Sequence, residues 1–502
     1  MDFLASLRAA SRWRDALVDP ARRERTVLVS LALYILLWAV YGTIAKSSQG
    51  LHPDMTEVIA WSRDFSLGQL KHPPFAAWLV QLWFTVFPIA GWSYYLLAML
   101  MPAAALWIVW RMSADYLDAD KRIVGLALLT FVPFFNFHAL KFNVNTVLLP
   151  LWAATTWFFL QSLRTRGKSW AILAGIAAAA AILGKYWSIF LLAGLGLAVL
   201  FDKRRTAYFR SAAPWITIAA GLIALTPHLY WLVQTDFESF SYAMIVHGDK
   251  PLAATLVAAL GYVAGAFGYT VVPVVLVCAV VRPGVKTLSD MVWPQEPERR
   301  LVAAAFWGPL LLPAIAAVAG GAEITSLWSM PAFSLLPVML LSSPAVTTRA
   351  IDTRRILLGA AMLPIVMLVV APLITIAAQR AGPAPASAQA SLLAGEVERL
   401  WHQSTPQPLR FIGGDEDLAY GVTAYAVDRP RALTGMPEHA KRELAQSGFV
   451  WLCFAEDGVC RSHGIARSGP GAKLVETQIV RNFLRFAGKP QRYTIYVVLP
   501  QP

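Results

Sequence analysis

Charge is what this sequence holds back. Only 15% of its 502 residues are Asp, Glu, Lys or Arg, while 57% are hydrophobic; a soluble chain carries about 25% charged residues. Ionisable groups are nearly absent from the middles of the apolar runs that recur along most of the chain. A proton-coupled transporter or pump holds carboxylates deep in its helices, so that class loses support. Cysteine is scarce as well. Cys278, Cys453 and Cys460 fit no zinc spacing and no HExxH occurs, so neither a metal nor another cofactor is expected. No internal repeat is visible, which weighs against transporters built from inverted repeats. The first apolar run, Val27–Ala45, is too long for a signal-peptide core and lacks a convincing cleavage site, which leaves a retained signal-anchor.

What is present is the pattern of a polytopic membrane protein. Apolar runs lie at 27–45, 93–110, 123–138, 144–161, 170–184, 187–201, 212–232, 254–281, 301–319, 329–346 and 356–378. A formal charge of +13 could suggest nucleic acid. The Lys and Arg, however, fill the short connectors between apolar runs, which is the signature of membrane orientation, so no nucleic-acid partner is expected. The segment Phe75–Pro88 is apolar but shorter than the roughly 20 residues a span needs. Counting it as a span would place Arg111, Lys121, Arg122, Arg164, Arg166, Lys168, Lys203–Arg205, Arg299 and Arg300 outside; leaving it out brings them all to the cytoplasm. It is therefore expected to lie along the outer surface as a juxtamembrane helix, with about eleven spans in all.

This parity predicts a basic cytoplasmic segment at 1–26, a transmembrane domain at 27–378, a linker by composition at 379–391 and a small outer α/β domain at 392–502. In the last, Leu392–His402 and Glu438–Gln446 read as helices, and Leu409–Ile412, Phe449–Phe454 and Tyr493–Leu499 as strands. Gly413-Gly414 with Asp415–Asp417 reads as a surface turn. Cys453 and Cys460 fit a disulfide or two free thiols equally well.

Charge gathers in one place beside a membrane segment. His52–Pro74, HPDMTEVIAWSRDFSLGQLKHPP, holds Asp54, Glu57, Asp64, His52, Arg63, Lys71 and His72. Asp54 and Glu57 fall at a helical step and share a face. Lys71 precedes Pro73-Pro74, which stop one helix and open the next. A carboxylate can act as general base on an acceptor hydroxyl, and a Lys can stabilise a phosphate leaving group. Together they are the minimum needed to displace a lipid phosphate from a sugar. A solvated loop that only softens the membrane edge is the plain alternative.

The stretch PDMTE…LKHPPFAAWL, followed by ALKFNVNTVLLPLW and PHLYWLVQTDFESFSYA, resembles the GT-C membrane glycosyltransferases. Within them it is similar to the protein O-mannosyltransferase and lipid A aminoarabinose transferase superfamily, and most to the branch with the rhizobial lipopolysaccharide galacturonosyltransferases. The resemblance implies an α-helical GT-C fold with two juxtamembrane helices in the first outer loop. It also implies a polyprenyl-phosphate-sugar donor, a lipid or glycolipid acceptor and metal-independent inversion at the periplasmic face of a bacterial inner membrane. Asp54 matches the family's first-loop acid, and Lys71 the Lys that meets the donor phosphate. Lys185, in LGKYW, matches a second basic residue. The family's second acid is replaced by Asn145 or Asn143. His72, Lys141 and Glu57 complete the expected donor-binding set. Protein O-mannosyl transfer and lipid or solute transport are the competing functions. Lys141 and Lys185 also fit lysines snorkelling at helix ends, and His138, His228 and His247 fit interfacial hydrogen bonding better than ligation.

Overall fold

In hydrocarbon a backbone must satisfy its own polar groups, so long apolar runs fold as helices. The computed structural model describes residues 3–433 and 440–500. Among these, six helices are long and apolar enough to cross a membrane: Arg23–Ala45, Gly91–Asp115, Val144–Thr165, Ala213–Gln234, Pro297–Ala319 and Ala350–Ala381. Glu238–His247 and Leu252–Gly268, bent by 98°, pass the same test as a pair. The remaining expected runs fall on shorter helices. The run 123–138 gives a helix only over Ala119–Leu129, followed by a turn at Pro133–Phe135. The run 254–281 divides into Leu252–Gly268 and Val271–Val281. Pro273 fits the break, since it lacks an N–H for the preceding turn and stands in the first turn of the new helix. The first loop holds two helices, Pro53–Trp61 and Phe75–Val86, as expected, but Pro73-Pro74 only open the second, since the first already ends at Trp61.

The chain divides into two compact units. The first takes residues up to Ala39, Leu67–Phe75 and Leu96–Val366. It is a helical bundle in which Lys168–Gly184 packs against both Val144–Thr165 and Ala213–Gln234. The alanines of that central helix allow close approach, the usual basis of helix association in lipid.

The second unit takes Val40–Ser66, Ala76–Tyr95 and the chain from Met367 onward. Its strands are β1 (Phe411–Gly414), β2 (Arg431–Ala432), β3 (Phe449–Phe454), β4 (Lys473–Ile479), β5 (Asn482–Phe483), β6 (Phe486–Ala487) and β7 (Gln491–Val498). The main sheet runs β2-β1-β3-β7-β4; β1 is parallel to β2 and β3, and β7 is antiparallel to β3 and β4. The amphipathic helix Ala390–His402 presses Leu393, Val397 and Trp401 into a core with Ile412, Leu418, Val450, Leu452, Ile495 and Val497.

The β3 reading holds at both ends, and β7 differs from its reading by a few residues. The turn expected at Gly413–Asp417 is absent. Gly413 and Gly414 complete β1, and Asp415 caps the helix Glu416–Tyr425 through the Leu418 N–H at 3.0 Å. Of the helix expected at Glu438–Gln446, Glu438 and His439 lie outside the described residues; the remainder is found as Ala440–Ser447. Cys453 and Cys460 form a disulfide, with Cα atoms 5.7 Å apart. Residues 379–391 hold a short helix, Pro385–Ala388, and Gln389, whose side chain accepts from the Tyr493 hydroxyl at 3.0 Å.

Candidate active site

Within the second unit, His52 opens the Pro53–Trp61 helix, its Nδ1 accepting from the Asp54 N–H at 3.1 Å. The same nitrogen lies 3.2 Å from Asp54 Oδ1. It can serve the backbone as an acceptor or, once protonated, the carboxylate as a donor, but not both through one site. Met55, Val58 and Ile59 are buried, while Asp54 and Glu57 lie on the more accessible face, as their spacing requires. The Tyr94 hydroxyl donates to Met55 O at 3.2 Å and fixes the buried side.

The other hold on this helix was not legible in the sequence. It packs on the Glu416–Tyr425 helix of the C-terminal domain. Arg63 reaches the last turn of that helix, its Nη2 donating to Thr423 O at 2.7 Å and Ala424 O at 3.4 Å. Unpaired carbonyls at a helix C-terminus favour a cation. Burial first, and Arg429 second, push the Arg63 pKa down to about 10, still charged at neutral pH. Arg431 grips Asp64 in two parallel bonds of 2.7 and 2.8 Å, and the Tyr425 hydroxyl accepts from Leu51 N–H at 3.2 Å. Gly50 sits at φ +70°, and a Cβ there would strike Ser387 O. The C-terminal domain therefore clamps both flanks of the helix that carries Asp54.

Arg63→Met keeps the stem and removes the donors. It should cost about 1–3 kcal/mol, the range for a buried hydrogen-bonding group deprived of its partner. Thermal unfolding of the full chain in detergent reads this; an unchanged transition would mean the clamp bond contributes nothing.

Within the first unit, Leu67–Phe75 carries Lys71 and His72. Its backbone is pinned at three points. His228 Nδ1 lies 2.7 Å from Leu67 O. A carbonyl only accepts, so Nδ1 carries the proton, and the neutral ring accepts at Nε2 from the Tyr186 hydroxyl at 2.9 Å. Ser239 Oγ donates to Gln69 O at 2.9 Å. Gly68 lies against the Trp231 ring so closely that a Cβ would overlap it. Two further half-buried groups, Lys71 and His72, are thus presented on a fixed segment.

Lys185 is 8% exposed, unlike a snorkelling lysine. It follows the Lys168–Gly184 helix in extended conformation. Its Nζ donates to Asn145 Oδ1 at 2.9 Å and stands 4.4 Å from the centroid of Trp328, within cation–π range. His247 meets the same Trp328 ring edge-on at 5.2 Å. Asn143 and Asn145 separate cleanly: Asn143 caps the Val144–Thr165 helix in a capping box, leaving Asn145 to face Lys185. Lys141 enters through its backbone, whose carbonyl accepts from Thr146 Oγ1 at 3.0 Å. The structure thus joins Lys185 with Asn145, and links Tyr186, the next residue, through His228 to the Lys71 segment. His228 hydrogen-bonds, as its sequence reading expects, whereas Tyr186 and Trp328 were missed as supports, because aromatics beside a span look alike whether they form an interfacial belt or a binding wall. Among the described residues, no three His, Cys, Asp or Glu side chains converge to hold a metal ion.

This arrangement, basic groups at the ends of helices in a membrane bundle with two short helices in the first loop, is that of a GT-C fold. Crystal structures of ArnT from Cupriavidus metallidurans, one bound to undecaprenyl phosphate and one in the apo state, match over 95% of this chain and 99% of theirs. The TM-scores are 0.60 and 0.63, with 12% identity, so the likeness is one of fold. Residues 71–231 match the dolichyl-phosphate-mannose-protein mannosyltransferase family model. The lipopolysaccharide core galacturonosyltransferase RgtB of Rhizobium johnstonii is 27% identical over 327 residues. That alignment covers 62% of this chain and 64% of RgtB. The resemblance read from the first loop and the two later motif stretches is supported in fold by ArnT and in sequence by the similarity to RgtB and the family model. The chain is a multi-pass membrane protein by its long apolar helices and this fold.

Proposed function

We propose that this chain is an inverting glycosyltransferase that moves a sugar from a polyprenyl-phosphate donor to an envelope glycolipid, of the lipopolysaccharide core or lipid A kind, at the periplasmic face of a bacterial inner membrane. One observation carries the reading. The family match begins at Lys71 and ends at Trp231, and so spans Lys71, His72, Lys141, Asn145, Lys185 and His228. In the proposed reaction Asp54 accepts the proton of an acceptor hydroxyl, or orients the acceptor where that is already a phosphate. The acceptor oxygen attacks the anomeric carbon from the face opposite the leaving group. The C–O bond to the lipid phosphate breaks, and Lys71 and Lys185 stabilise the departing phosphate. Glu57, His72, Lys141 and Asn145 shape the surrounding donor site. The organisation proposed is a cytoplasmic segment to residue 26, a catalytic membrane domain to 378 and an outer domain from 392.

The sugar proposed is a uronic acid. Asn145 gives Lys185 an oxygen without a negative charge, where the family's second acid would supply a carboxylate. With a neutral amide where that acid would stand, this position adds no negative charge, which favours an anionic sugar over an aminosugar. Opposite charges about 4 Å apart are worth on the order of 4 kcal/mol at an effective dielectric of about 20. The 27% identical RgtB supports the same sugar class. Donors differing only in the sugar, on one prenyl carrier, should compete in favour of the uronic acid, and Asn145→Asp should narrow that preference. A wild-type preference for the aminosugar would refute this assignment. A vesicle assay with radiolabelled donor separates the enzyme from a transporter: label joining an acceptor lipid supports the first, label crossing intact the second.

The family model's own description favours one competitor, protein O-mannosyl transfer. Label recovered in protein rather than lipid would establish it. Orientation follows from the basic connectors. A reporter fused after the C-terminal domain should be active only outside the cytoplasm, and cytoplasmic activity would overturn the topology.

A further inference from the structure

A cavity lies among residues that the proposed transfer does not use. It is a groove of about 820 Å³ between the Val271–Val281 helix and the first turns of Ala350–Ala381. Its walls are apolar: Val272, Leu276, Val280, Ile356 and Gly359, with Phe131 also lining it. Arg282, Arg349 and Arg355 line its polar part. Both helices have an end there, since Arg282 follows one and Arg349 precedes the other.

The lining includes one acid, Asp352, and it is already engaged. Its carboxylate accepts from Arg349 at 2.7 and 3.2 Å and lies 3.9 Å from Arg355 Nη1. Three guanidinium groups against one carboxylate leave a net positive mouth. The Arg349 and Arg355 side chains remain 74% and 64% exposed, so their outer N–H groups face the medium. From Val272 to Arg282 a helix rises about 15 Å. That is half of a hydrocarbon core of about 30 Å, the depth of one leaflet.

We propose that this groove binds one anionic phospholipid, with its phosphate on Arg282, Arg349 and Arg355 and an acyl chain along the apolar wall. Arginine forks match phosphate oxygens in pairs, and basic pockets between membrane helices suit anionic head groups. Free phosphate would use the same arginines but leave the apolar length unused. The basic connectors put this end of the bundle on the cytoplasmic side, so the lipid belongs to the inner leaflet.

The test is native mass spectrometry of the full chain, purified in detergent and supplied with phosphatidylglycerol or phosphatidylcholine. Retention of phosphatidylglycerol should exceed that of phosphatidylcholine at least ten-fold. Arg282→Gln with Arg355→Gln should abolish the difference and spare the Arg349–Asp352 pair. Leu276→Trp, which fills the groove and keeps every arginine, should also lower retention. Equal retention of both lipids by the wild type, or undiminished preference in both variants, would overturn the proposal. Displacement of the lipid by inorganic phosphate alone would assign the site to free phosphate and overturn it too. Binding is read without any transfer assay, so this result stands apart from the fate of the proposed reaction.

Discussion

Asp54→Asn is expected to lower sugar transfer roughly 100- to 10,000-fold, the usual cost of losing a general base. The substitution keeps the side chain's size and leaves the Asp54 backbone N–H in place for the His52 cap. The buried face, Met55, Val58 and Ile59, is untouched, so the helix should stay docked. Turnover should collapse while donor KM changes little, since a base acts in the transition state rather than on the bound donor. Near-normal turnover in a folded Asp54→Asn protein would sink the assignment. An acceptor that is already a phosphate would soften the loss to that of an orienting group. Comparing a hydroxyl with a phosphate acceptor therefore tells abstraction from orientation.

Lys185→Met should cost roughly 100- to 1,000-fold in kcat, comparable to removing one preorganised donor from a developing anion. The buried site sharpens the expectation. With 8% exposure, the ammonium is screened by little water, and Asn145 Oδ1 and the Trp328 ring hold it in place. On the proposed reaction, these two contacts hold the ammonium where it would meet the departing phosphate. Methionine preserves the apolar stem, which separates loss of charge from loss of packing. Lys185→Arg should recover part of the rate, because charge returns while the larger fork must displace Trp328. Full activity in Lys185→Met would reduce this lysine to a packing residue.

The membrane character and the first-loop helices were legible because composition and hydropathy act locally. Asp54 and Glu57 share a face for the same reason: helical spacing alone decides it. The run at 254–281 was read as one span because hydropathy does not register where the helix divides, between Gly268 and Val271. The Gly413–Asp417 turn was misread because glycines and acids mark turns on average. Here a buried β1 needs the glycines, and a following helix needs the cap. Asn143 and Asn145 could not be told apart in sequence. Only the position of Lys185, 40 residues on, makes one a cap and the other a partner. Arg63 looked like one more loop charge, since its acceptors lie 360 residues away.

That last separation bears on biosynthesis. The carbonyls that Arg63 holds and the Arg431 that grips Asp64 leave the ribosome 360 and 367 residues after their first-loop partners. Membrane insertion can proceed helix by helix, but the acid proposed to activate the nucleophile is clamped only after the C-terminal domain has been made and folded. A ribosome that stalls after the last long helix would release a fully inserted bundle whose first loop has no clamp. On the proposed reaction such a product should transfer sugar poorly, which would tie activity to a folded C-terminal domain.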